Sequence, residues 1–321
     1  MKRREFITLL GGAAAAWPRA ARAQQAGKVY RIGVLTPFPA DVLAPWFNEL
    51  RQLGFVQGHN LTVDGRGFSS SYEQLPAIAA ELVSAEPDAI ACAGDEEIRA
   101  AQALTQTIPI VATTDDMVGS GLVRSLSHPG GNTTGASLLA AELDGKRQEV
   151  LIEILPSARH MAVLVDVRTT APPRLQEIAD GARGRGVELS IHRVESSEQI
   201  PAAIDAAVAA GAAALNVLAS PLLHGGRQTI IERTNALRLP AMYQWPETAE
   251  EGGLLAYGPR FSEFMRQWAR LLVKVLRGAK PADLPVEQPT KFELVINLKT
   301  AKAIGHEMPA GLVLRADKVI E

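Results

Sequence analysis

The chain contains a single cysteine among its 321 residues, so no disulfide bond can form within it. A protein of this size can be stabilised by its hydrophobic core alone, and the lack of disulfides therefore does not exclude an exported protein. The cysteine, Cys92, lies in a run of small apolar residues that predicts a buried strand. A thiol in that environment is usually inert. We therefore expect no cysteine nucleophile.

The motifs of the common catalytic and cofactor sites are also missing. The sequence has no P-loop, no dinucleotide-binding glycine motif, no serine nucleophile elbow, no zinc-protease motif and no closely paired cysteines. The six histidines are scattered without the spacing of metal ligands, and we expect them at the surface or in helix caps. These absences favour a binding protein over an enzyme, and they predict neither a cofactor nor a metal site.

An export signal is present at the N-terminus. Residues 2–4 supply a basic head, an apolar stretch follows, and Ala21 and Ala23 form a small-x-small cleavage site. We predict a signal peptide over residues 1–23, so that the mature protein begins at Gln24. The paired arginines resemble the twin-arginine class, while an ordinary secretory signal and an uncleaved anchor are the alternatives. At about a dozen residues, the apolar stretch is too short to span a bilayer.

The charge of the chain limits the partners it is expected to bind. The formal net charge is −2 at pH 7, and removal of the signal peptide takes it to −6 because five basic residues and one acidic residue are lost. A mildly acidic protein is not expected to bind nucleic acid or anionic lipid. No later apolar run has the length of a membrane helix, and no cysteine near the cleavage site could carry a lipid. We expect a periplasmic, soluble monomer without a direct membrane anchor.

Beyond the signal, short β-rich runs alternate with amphipathic segments of helical period. Residues 29–35 are followed by a helical pattern over 42–53, and residues 160–167 by one over 173–183. Strands that alternate with helices of about 10–15 residues are typical of parallel α/β sheets. The pattern runs through twice, with a turn-rich break at 129–135. We therefore predict an α/β protein of two doubly wound parallel-sheet lobes joined by a multi-strand hinge.

Each predicted lobe takes part of the C-terminal region, because the last helices and strands could join either sheet. We predict an N-terminal lobe of residues 28–136 plus about 256–286, and a C-terminal lobe of residues 137–255 plus about 287–321. This arrangement places a cleft between the lobes.

Polar and aromatic residues follow the carboxyl ends of the predicted strands, where open α/β sheets bind ligands. In the first lobe the candidate ligand-binding residues are Thr36, Pro37, Phe38, Ser70, Ser71, Gly94, Asp95, Thr114, Asp115 and Asp116. In the second lobe they are Asp166, Thr169, Thr170, Ser220, Tyr243 and Trp245, with Tyr257 close to the hinge. Tyr257 could instead pack within the hinge.

These residue types suit a small ligand that has polar and apolar parts. A carboxylate could hold an ammonium group, hydroxyls and helix N-termini could hold a carboxylate, and Phe38 or an aromatic residue of the second lobe could stack on an apolar body. Structural alternatives remain open. Asp95, Asp116 and Ser220 precede predicted helices and could serve as N-caps. Asp115 and Asp116 could be a metal pair, although no third oxygen-rich cluster accompanies them.

Longer stretches of the mature chain match a known family in order. They include Glu-Leu-Arg-Gln-Leu-Gly-Phe-Val-Gln-Gly-His-Asn-Leu at 49–61, and they continue at 75–83, 108–111, 121–135, 252–258, 280–287 and 296–302. Together they resemble the periplasmic substrate-binding proteins of ABC importers of the tryptophan/tyrosine type. The resemblance implies a type I periplasmic-binding fold, with three crossovers, in which lobes close on a small ligand. It also implies an ABC permease as the membrane partner and no covalent chemistry.

The chain departs from this family at the expected ligand loop. Asp115, Asp116, Met117 and Val118 stand where the family usually has Asp-Pro-Val, with Asp116 at the family's acidic position, and Asp166 stands where Asn is common. We therefore expect an aromatic or amino-acid-like ligand without specifying it further. Two alternatives remain: a ligand-binding partner of a periplasmic sensor, and an exported enzyme whose only acid–base candidates are Asp115, Asp116 and Asp166.

Overall fold

The computed structural model describes residues 27–138 and 140–321 of the chain. The predicted signal peptide and its cleavage site after Ala23 lie outside these residues. The described chain forms two sheets made almost entirely of parallel strands, which confirms the predicted α/β fold of two lobes. No helix in the described part of the chain combines the length and the apolarity that crossing a bilayer requires.

The first sheet contains five parallel strands. They are β1 (Tyr30–Thr36), β2 (Leu61–Phe68), β3 (Ala89–Ala93), β4 (Ile110–Thr114) and β5 (Thr133–Ser137). Their spatial order is β2-β1-β3-β4-β5, so the connections change direction beside β1. Every residue of β3 and β4 is buried, as expected for central parallel strands covered on both faces. Ligands of such sheets bind where the direction changes, at the carboxyl ends of the strands.

Three helices connect these strands, namely α1 (Ala44–Gln52), α2 (Leu75–Ser84) and α3 (Asp95–Leu104). The core beneath α2 and α3 includes Leu82, Ile98 and the buried thiol of Cys92. The core on the opposite face includes residues of α1. The first sheet is therefore covered on both faces.

The second sheet contains seven strands. They are β6 (His160–Asp166), β7 (Glu188–Val194), β8 (Leu215–Val217), β9 (Ala241–Tyr243), β10 (Leu255–Gly258), β11 (Glu293–Asn297) and β12 (Lys318–Ile320). Their spatial order is β12-β11-β10-β9-β8-β6-β7. All neighbouring pairs are parallel except β10 and β11, which are antiparallel. Here the connections change direction beside β6.

Nine further helices belong to the C-terminal two thirds of the described chain. They are α4 (Ala140–Ile154), α5 (Pro172–Arg183), α6 (Ile200–Ala209), α7 (Pro221–Gly225), α8 (Arg227–Ala236), α9 (Pro246–Glu250), α10 (Phe261–Leu276), α11 (Leu298–Ile304) and α12 (Ala310–Val313). Residues of α6 and α8 share one core, and residues of α4 and α11 share another. These cores lie on opposite faces of the second sheet.

The long helix α10 returns from the second sheet to the first. It follows β10 of the second sheet, yet it packs on α1 and on β3, β4 and β5 of the first. Trp268 in its centre is fully buried, lies 5.1 Å from Trp46 of α1 between ring centroids, and donates its indole N–H to the carbonyl oxygen of Val111 at 2.9 Å. A helix supplied by one part of the chain thus completes the core of the other.

The chain crosses between the sheets three times. The first crossing follows β5, and the second follows β10. The third lies between Glu287 and β11, because the backbone N–H of Glu287 still donates to the carbonyl oxygen of Gly135 in β5, at 2.9 Å. Because β10 pairs within the second sheet, the second crossing lies after Gly258, and we predicted a lobe boundary at about residue 256. The division of the chain into lobes otherwise stays a prediction.

Replacing Trp268 by Ala should destabilise the whole protein. The change removes a buried ring and an indole hydrogen bond from the contact between α10 and the first sheet, and large-to-small changes of this kind cost about 3–5 kcal/mol. Urea unfolding measures the loss. Leu314→Ala is the control, because Leu314 is 87% exposed and should change stability by less than about 0.5 kcal/mol. A cost for Trp268→Ala as small as that of the control would contradict the anchoring role of α10.

Candidate functional site

A cavity of about 410 Å³ lies between the carboxyl ends of the two sheets. This volume is within the range of small-molecule sites, about 300–1,000 Å³. Its walls come from loops that follow β1, β3 and β4 in the first sheet and β6, β8 and β9 in the second, together with the start of α10. Both sheets contribute at the positions where their connections change direction, as the general rule for open α/β sheets predicts.

One end of the cavity is aromatic. Phe38 of the first lobe lies 6.0 Å from Phe261 at the start of α10, and Trp245 of the second lobe lies 5.1 Å from the same ring, both edge to face. Phe264, one turn further along α10, lies 6.1 Å from Trp245. Rings from both lobes and from the returning helix therefore form a single apolar wall.

His224 of α7 is part of this wall. Its ring lies 4.4 Å from Phe261 and 6.0 Å from Phe38 between centroids. Burial, with a smaller contribution from Arg227, lowers the pKa of His224 to about 3, so the ring is neutral at physiological pH. Its Nδ1 is buried and has no hydrogen-bond partner among the described residues. We expected the histidines at the surface or in caps, and for His224 that expectation is wrong because α7 packs against the returning helix.

The other end of the cavity is acidic and is formed by the start of α3. Gly94 precedes the helix with φ of 109°, a conformation that glycine adopts without strain. A Cβ atom at Gly94 would lie 2.2 Å from Oε2 of Glu97, so the missing side chain leaves room for that carboxylate. Asp95 beside it accepts a hydrogen bond from the hydroxyl of Thr114.

Glu97 is the most unusual group of this acidic end. It is 1% exposed, and its Oε1 has no hydrogen-bond partner in the described structure. Burial raises the pKa of Glu97 to about 8; a hydrogen bond from its own backbone N–H opposes this rise, and the neighbouring Glu96 and Asp95 add to it. A buried carboxyl with an unpartnered oxygen is costly in its charged form, so the free protein holds it mainly protonated at neutral pH.

A chain of ionic contacts links the lobes, and it runs from the partly buried pair of Arg174 and Asp115 to the fully buried Asp144. Arg174 of α5 donates to the carboxylate of Asp115, which follows β4 of the first sheet, at 3.3 Å, and also to Asp144 of α4. Asp144 accepts a second hydrogen bond from Arg147, whose Nε donates to the carbonyl oxygen of Tyr257 at 2.8 Å. Asp144 and Arg147 are fully buried. The carboxylate of Asp144 therefore connects the hinge strand β10 to the contact between the lobes.

A second arginine also reaches across the cleft. The guanidinium of Arg168, after β6, lies 4.4 Å from the centroid of the Tyr72 ring in the first lobe. With the Arg174–Asp115 pair and the contact between Phe38 and His224, this cation–π contact encloses the cavity. The structure thus presents the lobes in contact around the cavity.

Many of the predicted site residues line this cavity. They are Pro37, Phe38, Gly94, Asp95, Thr114, Asp115, Asp116, Thr169, Ser220 and Trp245. Some also have structural roles that we left open. The hydroxyl of Ser220 accepts from the N–H of Leu223 as a helix cap, and Asp116 accepts from the N–H groups of Val118 and Gly119 in a turn.

Other predicted residues lie behind the cavity wall. Thr36 accepts from the N–H of Phe38 at 3.1 Å and shapes the loop after β1, and Ser70 donates to the carbonyl oxygen of Thr36. Asp166 accepts from the Ser220 hydroxyl at 2.7 Å and positions that loop. Ser71 and Thr170 are likewise absent from the cavity lining.

The structure places Tyr243 and Tyr257 outside the cavity, which corrects their assignment as ligand contacts. Tyr243 is 3% exposed, and its hydroxyl lies 3.1 Å from the Oγ1 of Thr234 in the second-lobe core. Alternate side chains of β9 face opposite sides of the sheet, and Tyr243 lies on the same side as Ala241, where both belong to one buried core. Tyr257 packs 6.5 Å from Phe292.

Several cavity residues were not predicted from the sequence. Glu97 lies two residues after the predicted Asp95, and its position after a strand could have suggested it. Arg174, His224 and Phe261 lie on helices whose packing decides what they face. Among the described residues, no three His, Cys, Asp or Glu side chains are grouped as metal ligands, and Asp115 pairs with Arg174.

Sequence comparisons relate the chain to known proteins. A sequence model of the ABC transporter substrate binding protein family matches residues 46–320. A tyrosine-binding protein of Clostridioides difficile (strain R20291) is 25% identical over 264 residues, which cover 81% of this chain and 75% of the relative.

Two solved structures share the two-lobed fold. A conserved domain protein from Vibrio cholerae has a TM-score of 0.81 at 24% identity, and a Streptococcus pneumonia ABC domain in complex with L-Trp has a TM-score of 0.79 at 22% identity. Each similarity covers 91% of this chain and 100% of the other. At these identities they show the fold alone, which is of the type I periplasmic-binding kind.

Replacing Glu97 by Gln should flatten the pH dependence of stability. The pKa of Glu97 is about 8 in the folded protein and near its usual value of 4.5 in the unfolded chain. The unfolded chain therefore loses the proton at a lower pH, and the wild-type protein should lose stability as the pH rises from 4.5 to about 8. The variant should lack this part of the fall, which amounts to at most about 1.4 kcal/mol per pH unit. Urea unfolding at a series of pH values compares it with the wild type and with Glu73→Gln, an exposed position on the same lobe. Parallel curves for wild type and Glu97→Gln would show that Glu97 does not titrate in this window.

Proposed function

This chain belongs to the family of ABC transporter substrate binding proteins, and we propose that its cavity captures a small aromatic or amino-acid-like ligand for delivery to an ABC permease. The observation that supports the proposal is a cavity of about 410 Å³ whose aromatic wall takes rings from both lobes. A ligand in this cavity touches Phe38 on one side and Trp245 on the other, and so it favours the closed arrangement over an open one.

Ligand-driven closure follows from this geometry. A ligand shifts an equilibrium between open and closed forms only by its difference in affinity for the two. In the closed form the ligand gains the second lobe's contacts, and the Arg174–Asp115 and Arg168–Tyr72 contacts form with it. The permease then distinguishes the loaded form by the relative position of the lobes.

Chemical turnover is not part of the proposal. Of the three acids that an enzyme on this fold could use, Asp115 pairs with Arg174, Asp116 accepts turn N–H groups, and Asp166 accepts from Ser220. A sensor partner would use the same cavity, and binding of the loaded protein to a permease rather than to a receptor domain decides between them.

Replacing Trp245 by Ala should weaken ligand binding by at least about tenfold. The change removes a ring of the aromatic wall, and stacked or edge-to-face pairs contribute about 0.5–1.5 kcal/mol beyond burial. A thermal-shift screen of aromatic amino acids, aromatic acids, aromatic amines and branched-chain amino acids identifies a ligand, since a hundredfold excess over Kd stabilises the native state by about 2.7 kcal/mol.

Tyr243→Phe is the matched control, because it changes an aromatic residue two positions away that faces the core. Its ligand affinity should stay within about twofold of the wild type. Equal losses for both variants would contradict the cavity assignment, and a chemically altered ligand recovered after binding would contradict the proposed function.

We further propose that the protein is exported to the periplasm and cut after Ala23. Mass spectrometry of the periplasmic protein should give a chain that begins at Gln24. Replacing both Arg3 and Arg4 by Lys should block export if the twin-arginine route is used, whereas continued export would indicate the general secretory route. Recovery of the uncut chain in the membrane fraction would contradict cleavage.

A further inference from the structure

The cavity carries an excess of negative charge. The described residues that line it include six carboxyl side chains, those of Asp95, Glu96, Glu97, Asp115, Asp116 and Glu177, of which Glu97 is mainly protonated in the free protein. Against them stand two guanidinium groups, Arg168 and Arg174. A ligand that enters this space meets a field that favours a cation and opposes an anion.

The two cavity arginines also contact groups of the protein. Arg174 donates to two carboxylates, Asp115 at 3.3 Å and the buried Asp144, but its buried Nε makes no hydrogen bond within the described structure. The guanidinium of Arg168 covers the ring of Tyr72 and so closes the cleft. Both arginines therefore retain N–H donors for a ligand carboxylate, and the cavity does not exclude one.

Glu97 has one oxygen without a partner. It lines the cavity, is 1% exposed, and leaves Oε1 without a hydrogen bond among the described residues. Buried carboxyls in native proteins are paired or hydrogen-bonded, so an unpartnered oxygen beside a cavity indicates a missing donor. The donor that suits a carboxylate there is a charged N–H group of the ligand.

From these contacts we infer that the ligand is a primary amine with an apolar or aromatic body, whose ammonium group binds Glu97 while its body contacts the aromatic wall. The inference rests on the proposed function and specifies its substrate class. Both an amino acid and an amine without a carboxylate carry such an ammonium group.

Binding of such an amine is coupled to loss of a proton. The ammonium group pairs with the ionised form of Glu97, whose pKa is about 8 in the free protein, so the ligand must expel the proton below that pH. The other titratable groups that face Glu97 are Asp95 and Glu96 on its own helix and Tyr72 and Cys92 on neighbouring segments. Burial raises the pKa of Tyr72 and of Cys92, which keeps both neutral. Apparent affinity should therefore rise about tenfold per pH unit up to about pH 8 and then level off.

Titration calorimetry on the mature protein tests this with matched ligands. The probes are tyramine, tryptamine and phenethylamine, each beside the amino acid and the propanoic acid that carry the same ring. At least one amine or amino acid should bind, and the propanoic acid with the same ring, which lacks the ammonium group, should bind about tenfold or more weakly. Two buffers of different ionisation enthalpy should show close to one proton released per amine near pH 6.5.

Two variants test whether Glu97 is the group that binds the ammonium. Glu97→Gln should weaken amine binding at least about tenfold and remove its dependence on pH between about 6 and 8. Glu73→Gln removes an exposed charge outside the cavity and should bind as the wild type does. If Glu97→Gln does not fold, proton release by the wild-type protein decides.

The outcomes separate this inference from the proposed function. Propanoic acids that bind as tightly as the amines and amino acids, bound amines that release no proton, or no binding of any probe with an ammonium group would each overturn the inference. The proposed function survives any of these results, because it fails only when no compound of the broader thermal-shift panel binds or when a bound compound is chemically altered.

Discussion

The buried carboxylate of Asp144 holds the functional arrangement of this protein together. It accepts from Arg147, which reaches the hinge strand β10, and from Arg174, which reaches Asp115 in the other lobe. Charges taken out of water are costly unless every partner is present, and removal of one partner typically costs about 3–5 kcal/mol. The contact between the lobes is therefore tied to the packing of α4 rather than to an exposed salt bridge that water would weaken.

The cavity that this contact encloses has two chemically different ends. The aromatic end combines Phe38, Trp245 and Phe261 with a histidine that burial keeps neutral. The acidic end depends on Gly94, because a side chain at that position would occupy the space of the Glu97 carboxylate. A single ligand with an apolar body and a cationic head contacts both ends at once, whereas either end alone would discriminate less strongly between ligands.

The family and the fold leave the ligand undetermined. Solved structures at about one quarter identity share the two-lobed fold, but the residues that line the cavity stand on loops and helix ends beyond the strands, where sequence varies more readily than in the sheets. In this chain the first turn of α3, directly after β3, carries three consecutive acids, and the loop after β4 carries two. These segments, rather than the sheets, determine the charge that a ligand meets.

The amino-acid sequence by itself determined the alternation of strands and helices, since hydrophobic periodicity records which face of each element is buried. It also located Phe38, Asp95 and Thr114, because the carboxyl ends of parallel strands meet at one edge whatever the details of packing. It could not place Tyr243, since β9 directs alternate side chains to opposite faces and only the sheet's position in the lobe decides which one meets the cleft.

Only the tertiary structure brought Arg174, His224 and Phe261 to the cavity. They come from helices separated by dozens of residues, and what each faces depends on how its helix packs rather than on its neighbours in the chain. The pairing of Arg174 with Asp115 and the isolation of Glu97 are likewise properties of the folded molecule, because burial, not residue type, decides whether a charge is compensated.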